Sequence, residues 1–401
     1  MNLPLVVAAY NRPDSLARLL NSLQVSEYPE RVDIELIISI DFSGNSQCSK
    51  LANDFEWKHG KKRVICHNKK LGLKSHIITC GDLALNYDGI ILLEDDLIVS
   101  PAFYYYSIAV VDFYSFYQNI AGISLYSYER NEFCDLPFSP VKDGQDTFFM
   151  KVPSSCGQIF LQKHWIAFKE SFNKGIEIND TDYLPDQVFN WPETSWKKLY
   201  FKYMIKNNLY FVYPMHSYSS NMGDEGTHCP EINFIKTALT LKSDNFIFSL
   251  FGKTINIYDQ FMEWEPTRVQ ILDNITDQWN NVAIDLYGFK PLVKIKESKI
   301  VTSRKVTESL GQIPINEHPI QLNLLKKSIH GFFDSFVFNI AEVKNVIEDS
   351  NVIKEYFTSC ICPGLSQSFY DEGAQKVKQS IKYRVGNFLL RPFHIFMKMI
   401  K

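Results

Sequence analysis

Three acidic residues in succession, Glu94-Asp95-Asp96, follow directly on the apolar run Gly89-Ile90-Ile91-Leu92-Leu93. Carboxylates crowded at the end of a buried strand repel one another and lose solvation. A divalent cation relieves the repulsion. Oxygen donors alone favour Mg2+ or Mn2+, ions that also hold phosphate oxygens. The plain alternative is a solvated acidic turn, but such a turn rarely needs three acids behind four apolar residues. Two more apolar runs end in polar groups: Val6-Val7-Ala8-Ala9 leads into Tyr10-Asn11-Arg12, and the run to Ile40 ends at Asp41. Arg12 can pair with phosphate or stack on a base, or be a surface arginine. Asp41 can accept hydrogen bonds from a base edge or a ribose hydroxyl, or close an Asx-turn on its own backbone. His76 follows Leu71-Gly72-Leu73 and can donate to a diphosphate, although a lone histidine is more often structural. The stretch Ser220 to His228 is polar and glycine-rich, the composition of a segment that closes over a substrate. His228 can add a nitrogen ligand to a metal; the alternative is an ordinary surface loop.

The elements that must carry these groups alternate. Leu3 to Ala9 reads as a short buried strand, followed by a turn in which Asp14 can cap the next helix. Leu16, Leu19, Leu20 and Leu23 have helical spacing. Ile34 to Ile40 is almost wholly apolar, as a strand covered on both faces must be. Val64 to Cys66 predicts a third strand, Leu73 to Leu85 a helix and Gly89 to Leu93 a fourth strand. Strands and helices in this order make a parallel sheet with crossover helices. Ligands of such sheets bind beyond the C-terminal strand ends, where the polar groups above fall.

Taken together, these segments resemble the nucleotide-diphospho-sugar glycosyltransferases of the A-type fold, more narrowly the bacterial family 2-like enzymes related to N-acetylglucosaminyltransferase I. Five segments carry the resemblance in chain order: Val6-Val7-Ala8-Ala9-Tyr10-Asn11-Arg12-Pro13, the strand ending in Asp41, Leu71-Gly72-Leu73-Lys74-Ser75-His76, Ile91 to Leu97 with Ser100-Pro101-Ala102-Phe103, and Asn221-Met222-Gly223 to Gly226-Thr227-His228. The resemblance covers roughly residues 1–230. It implies a Rossmann-like α/β fold with a mostly parallel central sheet. It implies that Asp96 binds Mn2+ or Mg2+, Asp95 the ribose, Glu94 the donor sugar and Asp41 a uracil-type base. Arg12 and His76 would bind the nucleotide or its diphosphate. Thr227 lies in the closing segment, and His228 would reach the metal or diphosphate. An inverting transferase also needs a base for the acceptor hydroxyl. In the resembling enzymes an acid just before a Trp serves. Glu193 in Trp191-Pro192-Glu193-Thr194-Ser195-Trp196 is the nearest match, displaced to three residues before Trp196; it also suits a helix N-terminus. Asp186 and Asp224 are rivals.

The expected enzyme moves a hexosyl or N-acetylhexosaminyl group, most simply from a UDP-sugar, to a saccharide or lipid-linked saccharide in surface polysaccharide synthesis. Two other readings are a sugar-nucleotide nucleotidyltransferase and a non-catalytic nucleotide-sugar-binding protein. Ala8-Ala9-Tyr10-Asn11-Arg12 lacks the glycines of a phosphate loop, which counts against the first. The displaced acid near Trp196 keeps the second open.

Composition sets the outer bounds. The 401 residues are enough for two domains, or one large domain with additions; 45% are apolar and 22% charged, as in folded proteins. A net charge of −3 leaves no global positive field for nucleic acid. The eight cysteines include no C-x-x-C pair, which argues against a zinc cage and suits reduced thiols. The opening residues lack a signal-peptide pattern, and no span-length apolar run occurs, so a cytoplasmic protein is expected. Residues 1–230 form the expected nucleotide-sugar domain, 231–370 an extension of unassigned role and 371–401 a basic amphipathic tail. From Ala374 to Lys401 there are seven basic residues and no acidic one. Such a helix can rest on the anionic inner face of the plasma membrane or dock on the protein itself. The aromatic content, 14%, is compatible with a homodimer.

Overall fold

The computed structural model describes residues 3–30, 32–225, 236–265, 281–325 and 336–361. Its centre is a mostly parallel, Rossmann-like sheet, as the alternation of strands and helices in the sequence predicts. The first elements are β1 (Leu5–Ala9), α1 (Pro13–Gln24), β2 (Leu36–Ile40), α2 (Gln47–Asp54), β3 (Lys62–Cys66), α3 (Leu73–Gly81) and β4 (Gly89–Glu94). Then follow β5 (Leu97–Val99), α4 (Phe103–Tyr114), β6 (Ile120–Ser124), β7 (Thr147–Met150), β8 (Gln158–Leu161) and α5 (Gln162–Asn173). After these come α6 (Asp186–Asn190), α7 (Trp196–Lys206), β9 (Tyr210–Pro214), β10 (Ser219–Asn221) and β11 (Ile257–Tyr258). Among the described residues the sheet has nine strands, in the order β11-β7-β9-β6-β8-β4-β1-β2-β3. Strands β4, β1, β2 and β3 run parallel. Strand β8 is antiparallel to both β4 and β6, and β6 and β9 are parallel.

The period-two pattern of buried strands divides the core in two. Val6 and Ala8 of β1 and Ile90 and Leu92 of β4 face the core formed with α3, α5 and α7. Leu5, Val7 and Ala9, with Ile91 and Leu93, face the core formed with α1, α2 and α4. Strands buried on both faces must be apolar throughout, as these sequences are. In α1 the residues Leu16, Leu19, Leu20 and Leu23 are buried as their spacing requires. Asp14 is not its cap: the helix begins at Pro13, whose fixed φ suits the first helical position, and Arg12 takes the capping place. The helix predicted to Leu85 stops as α-helix at Gly81 and tightens into a 3-10 turn over Asp82–Asn86.

The sheet draws on chain beyond residue 230, since β11 pairs with β7. Residues 281–361 add a four-stranded sheet in the order β12-β13-β16-β15 (β12, Val282–Asp285; β13, Lys299–Thr302; β15, Gly311–Pro314; β16, Val337–Glu342), and β14 (Arg304–Val306) pairs with β17 (Val346–Asn351). Val282, Ile284, Val301 and Phe338 join the same apolar core as α3 and α7, so the extension packs on the first unit without a break. Among the described residues no helix is long and apolar enough to cross a membrane. Residues 371–401 lie outside the described residues.

Candidate functional site

The chain leaves β1 towards β2 and β3 on one side, then returns to lay β4 on the other side of β1. Loops beyond the C-terminal ends of β1 and β4 therefore diverge and leave a crevice between them, the place where open α/β sheets bind ligands. A cavity of about 350 Å3 occupies it. Arg12, Asp41, His76, Glu94, Asp95 and Asp96 all line it, together with Tyr10, Lys70, Gly72, Thr194 and Asp224. Six residues picked from four separate segments thus share one wall.

Asp95 is buried, and its backbone N–H continues the sheet by donating to the Ala8 carbonyl at 3.1 Å. Its carboxylate accepts from Tyr10 N–H at 3.3 Å and from the Arg12 guanidinium. Arg12 also donates to Asp96 Oδ2 at 3.1 Å, so one guanidinium spans both aspartates. Burial works against the Arg12 charge, but Asp95 and Asp96 outweigh it and hold its pKa above the ordinary value. Burial pushes the Asp95 carboxyl up to about 6 against the pull of Arg12. Glu94 is pushed up to about 8, first by burial and then by Asp96 and Asp95. Both shifts come first from burial, and the neighbouring carboxylates add to it.

The donor set fits Mg2+ or Mn2+ in a particular way. Among the described residues no group of three or more ligating side chains converges on one point. One or two carboxylates beside a pocket suit a hard cation that keeps waters and completes its shell with substrate phosphates. Asp96, partly exposed at the cavity wall, and Asp95 beside it are the carboxylates that would hold such an ion, and Arg12 occupies both here.

Asp41 serves the backbone first. Its Oδ1 accepts from Phe42 N–H at 2.8 Å and Leu71 N–H at 2.7 Å, and its Oδ2 from Gly72 N–H at 2.9 Å. A carboxylate offers about four acceptor sites, so one remains for a ligand. The clamp fixes the loop into α3, where Gly72 takes a φ of +78° that a side chain would resist. His76 is buried on α3, its Nε2 at 2.9 Å from Ser39 Oγ, and the same hydroxyl lies 3.2 Å from His67 Nε2. Burial lowers the His76 pKa to about 4, with Asp41 opposing and His67 assisting. At neutral pH His76 is therefore a neutral imidazole and contributes hydrogen bonding without charge.

His164 on α5 is likewise buried and lowered to about 4 by desolvation. Both histidines titrate from 6.5 unfolded to about 4 folded, so the unfolded chain binds more protons between those values. Their stability contribution is complete above pH 6.5 and lost as pH falls to 4, on the order of 3 kcal/mol each. Urea denaturation at pH 7, 5.5 and 4.5 should show this decline, and His164→Phe should flatten it. An equal decline in that variant would remove His164 from the explanation.

The polar loop after β9 reaches the site through a short antiparallel pair, in which Asn221 of β10 faces Leu97 of β5. Met222 N–H donates to the Asp96 carbonyl at 2.9 Å. Asp224 is tied to α1 by Ser15 Oγ at 2.7 Å and by Arg18. Burial opposes ionisation of Asp224, but the bonds from Arg18 and Ser15 prevail and hold its pKa below the usual range. Thr227 and His228 lie outside the described residues. Thr194, the residue before the Ser195 cap of α7, lines the cavity, whereas the Glu193 side chain is 87% exposed and bonded to Lys198 Nζ at 2.8 Å. That bond lowers the Glu193 pKa. Asp186 is exposed at the start of α6. Sequence reasoning did not select Tyr10, Lys70 or Thr194. Tyr10 and Thr194 stand within two residues of ones that it did select, and Lys70 directly precedes the Leu71 to His76 segment; only the loop geometry brings them to the cavity.

No protein-family model matches the chain, and no curated protein matches it. Solved structures similar to it include S. aureus TarS 1-349 in complex with UDP-GlcNAc, at 15% identity and a TM-score of 0.37, covering 57% of this chain and 60% of that one. S. aureus TarS itself gives 14% identity and a TM-score of 0.34, covering 53% of this chain and 36% of that one. The mannosyltransferase PcManGT from Pyrobaculum calidifontis, in complex with GDP-Man and Mn2+, gives 10% and 0.30, with 43% and 46% covered. The chain thus matches less than two thirds of the length of each of these proteins. Similarity at these TM-scores decides no chemistry for this chain, and the cavity at the β1/β4 crevice is the ground on which a function can be argued.

Proposed function

We propose that the chain is a metal-dependent, inverting glycosyltransferase that takes a sugar from a nucleoside-diphosphate donor, most simply a UDP-sugar. The carrying observation is the cavity at the β1/β4 crevice, which joins the Arg12–Asp95–Asp96 cluster to the Asp41-clamped loop. Transfer breaks the bond from the anomeric carbon to the diphosphate oxygen and forms one to an acceptor hydroxyl oxygen. The bonding electrons leave on the diphosphate, and the acceptor proton goes to a base. Cationic groups aimed at the leaving diphosphate stabilise the charge as it develops. A bound Mn2+ or Mg2+ on Asp96 would add Lewis-acid stabilisation there. In this reading Asp41 takes an N–H of the base with its remaining acceptor site, Asp95 holds the ribose and Glu94 faces the donor sugar. His76 offers an uncharged hydrogen bond, and Thr227 and His228 belong to the segment that closes over the donor. Glu193 is the proposed base. It adjoins cavity-lining Thr194, and its ion pair with Lys198 is exposed on the carboxylate side, where such pairs are weak and an incoming acceptor can replace one.

Calorimetry with UDP-, GDP-, CMP- and dTDP-sugars, with and without Mn2+, tests the reading. One donor should bind in a metal-dependent manner, and Asp96→Ala should weaken it on the order of a hundredfold. A folded protein that binds none of them is not this enzyme. Donor hydrolysis without acceptor separates the transferase from a binding protein that has lost its base. The acceptor is proposed to be a saccharide, free or lipid-linked, of a surface polysaccharide, met at the inner face of the membrane through residues 371–401. Deleting 374–401 should abolish co-sedimentation with anionic vesicles; unchanged sedimentation would discard that placement.

A further inference from the structure

The cavity has two lining residues with a standing positive charge among those described, Arg12 and Lys70. Arg12 is already committed to Asp95 and Asp96. Lys70 is not committed to any carboxylate among the described residues. Its ammonium lies 5.2 Å from the centroid of the Tyr10 ring, a cation–π distance. Lys70 is exposed, but the backbone that follows it is fixed, because the N–H groups of Leu71 and Gly72 are held by Asp41. Tyr10 in turn is fixed by its N–H on Asp95. The backbones on either side of this contact, the loop before α3 and the turn after β1, are therefore both anchored, and the ring contact is what places the ammonium between them. Neighbouring cations are differently placed: Lys74 donates to the Glu193 carbonyl at 2.7 Å, and Lys69 does not line the cavity.

We infer that Lys70, seated on Tyr10, is a donor-binding residue that clasps the diphosphate of the nucleotide. The inference rests on the functional reading above and adds to it the residue that meets the donor's negative charge opposite the acidic wall. A cation on a phosphate oxygen gains a charge-assisted hydrogen bond, and the aromatic face orients the ammonium when no ligand is present. The clasp also links the two recognition tasks, because the Asp41 that is to read the base fixes the loop bearing the lysine.

The test is calorimetry of the full chain with UDP, GDP, CDP and dTDP, each with Mn2+, and with the nucleoside of whichever binds. Lys70→Gln should weaken the diphosphate at least about tenfold and leave the nucleoside within about twofold. Lys70→Arg should retain most of the affinity, and Lys69→Gln, the same charge change one residue earlier, should change little. If the wild type binds a nucleoside diphosphate and Lys70→Gln binds it equally well, the clasp is wrong and the transferase reading stands. Equal weakening of diphosphate and nucleoside would also overturn it, since the lysine would then act on the base. A wild type that binds none of the four removes both.

Discussion

Replacing Asp41 with alanine should cost about 2–4 kcal/mol of stability and remove nucleotide binding together with it. The carboxylate accepts three backbone N–H bonds at 2.7–2.9 Å, two of them from Leu71 and Gly72 in the loop before α3. A hydrogen bond to a charged group is worth more than a neutral one, but Leu71 and Gly72 are partly exposed, so water recovers some of the loss. Asp41→Asn should not restore the wild type. The amide offers one acceptor oxygen, and its NH2 would meet an N–H that needs an acceptor. Urea denaturation and hydrogen exchange at the Leu71 and Gly72 amides measure the effect directly. Unchanged exchange at both amides in Asp41→Ala would show that the loop holds its shape by other means.

Arg12→Met should act in two opposite directions. Without metal, it strips the cation from buried Asp95 and from Asp96, and breaking such a pair costs about 3 kcal/mol or more. With Mn2+ present, part of that loss should return, because the ion now binds carboxylates that Arg12 no longer occupies. The rise in melting temperature caused by Mn2+ should therefore be larger in Arg12→Met than in the wild type. A smaller Mn2+ shift in the variant would mean that arginine and metal do not compete. The pair would then be a brace between the β1 and β4 loops.

The sequence by itself determined the sheet and the wall of the site. Strands such as Leu36–Ile40 and Gly89–Glu94 are legible because burial on both faces demands an unbroken apolar run, a local and one-dimensional requirement. The polar residue that ends each run is then placed by chain geometry alone, which is why Arg12, Asp41 and Glu94-Asp95-Asp96 could be chosen before any contact was known. The charge state of His76 was not legible, because it depends on burial against Ser39 and His67 from other segments. The start of α1 was misread at Asp14, since the geometry of Pro13 outranks a capping side chain. Tertiary structure alone set the anchoring of Asp224 by Arg18 and Ser15 and the seating of Lys70 on Tyr10. These are side-chain contacts between segments as much as 209 residues apart. Residue type gives what a charged group can bind, but only the packed fold decides which of several partners it reaches.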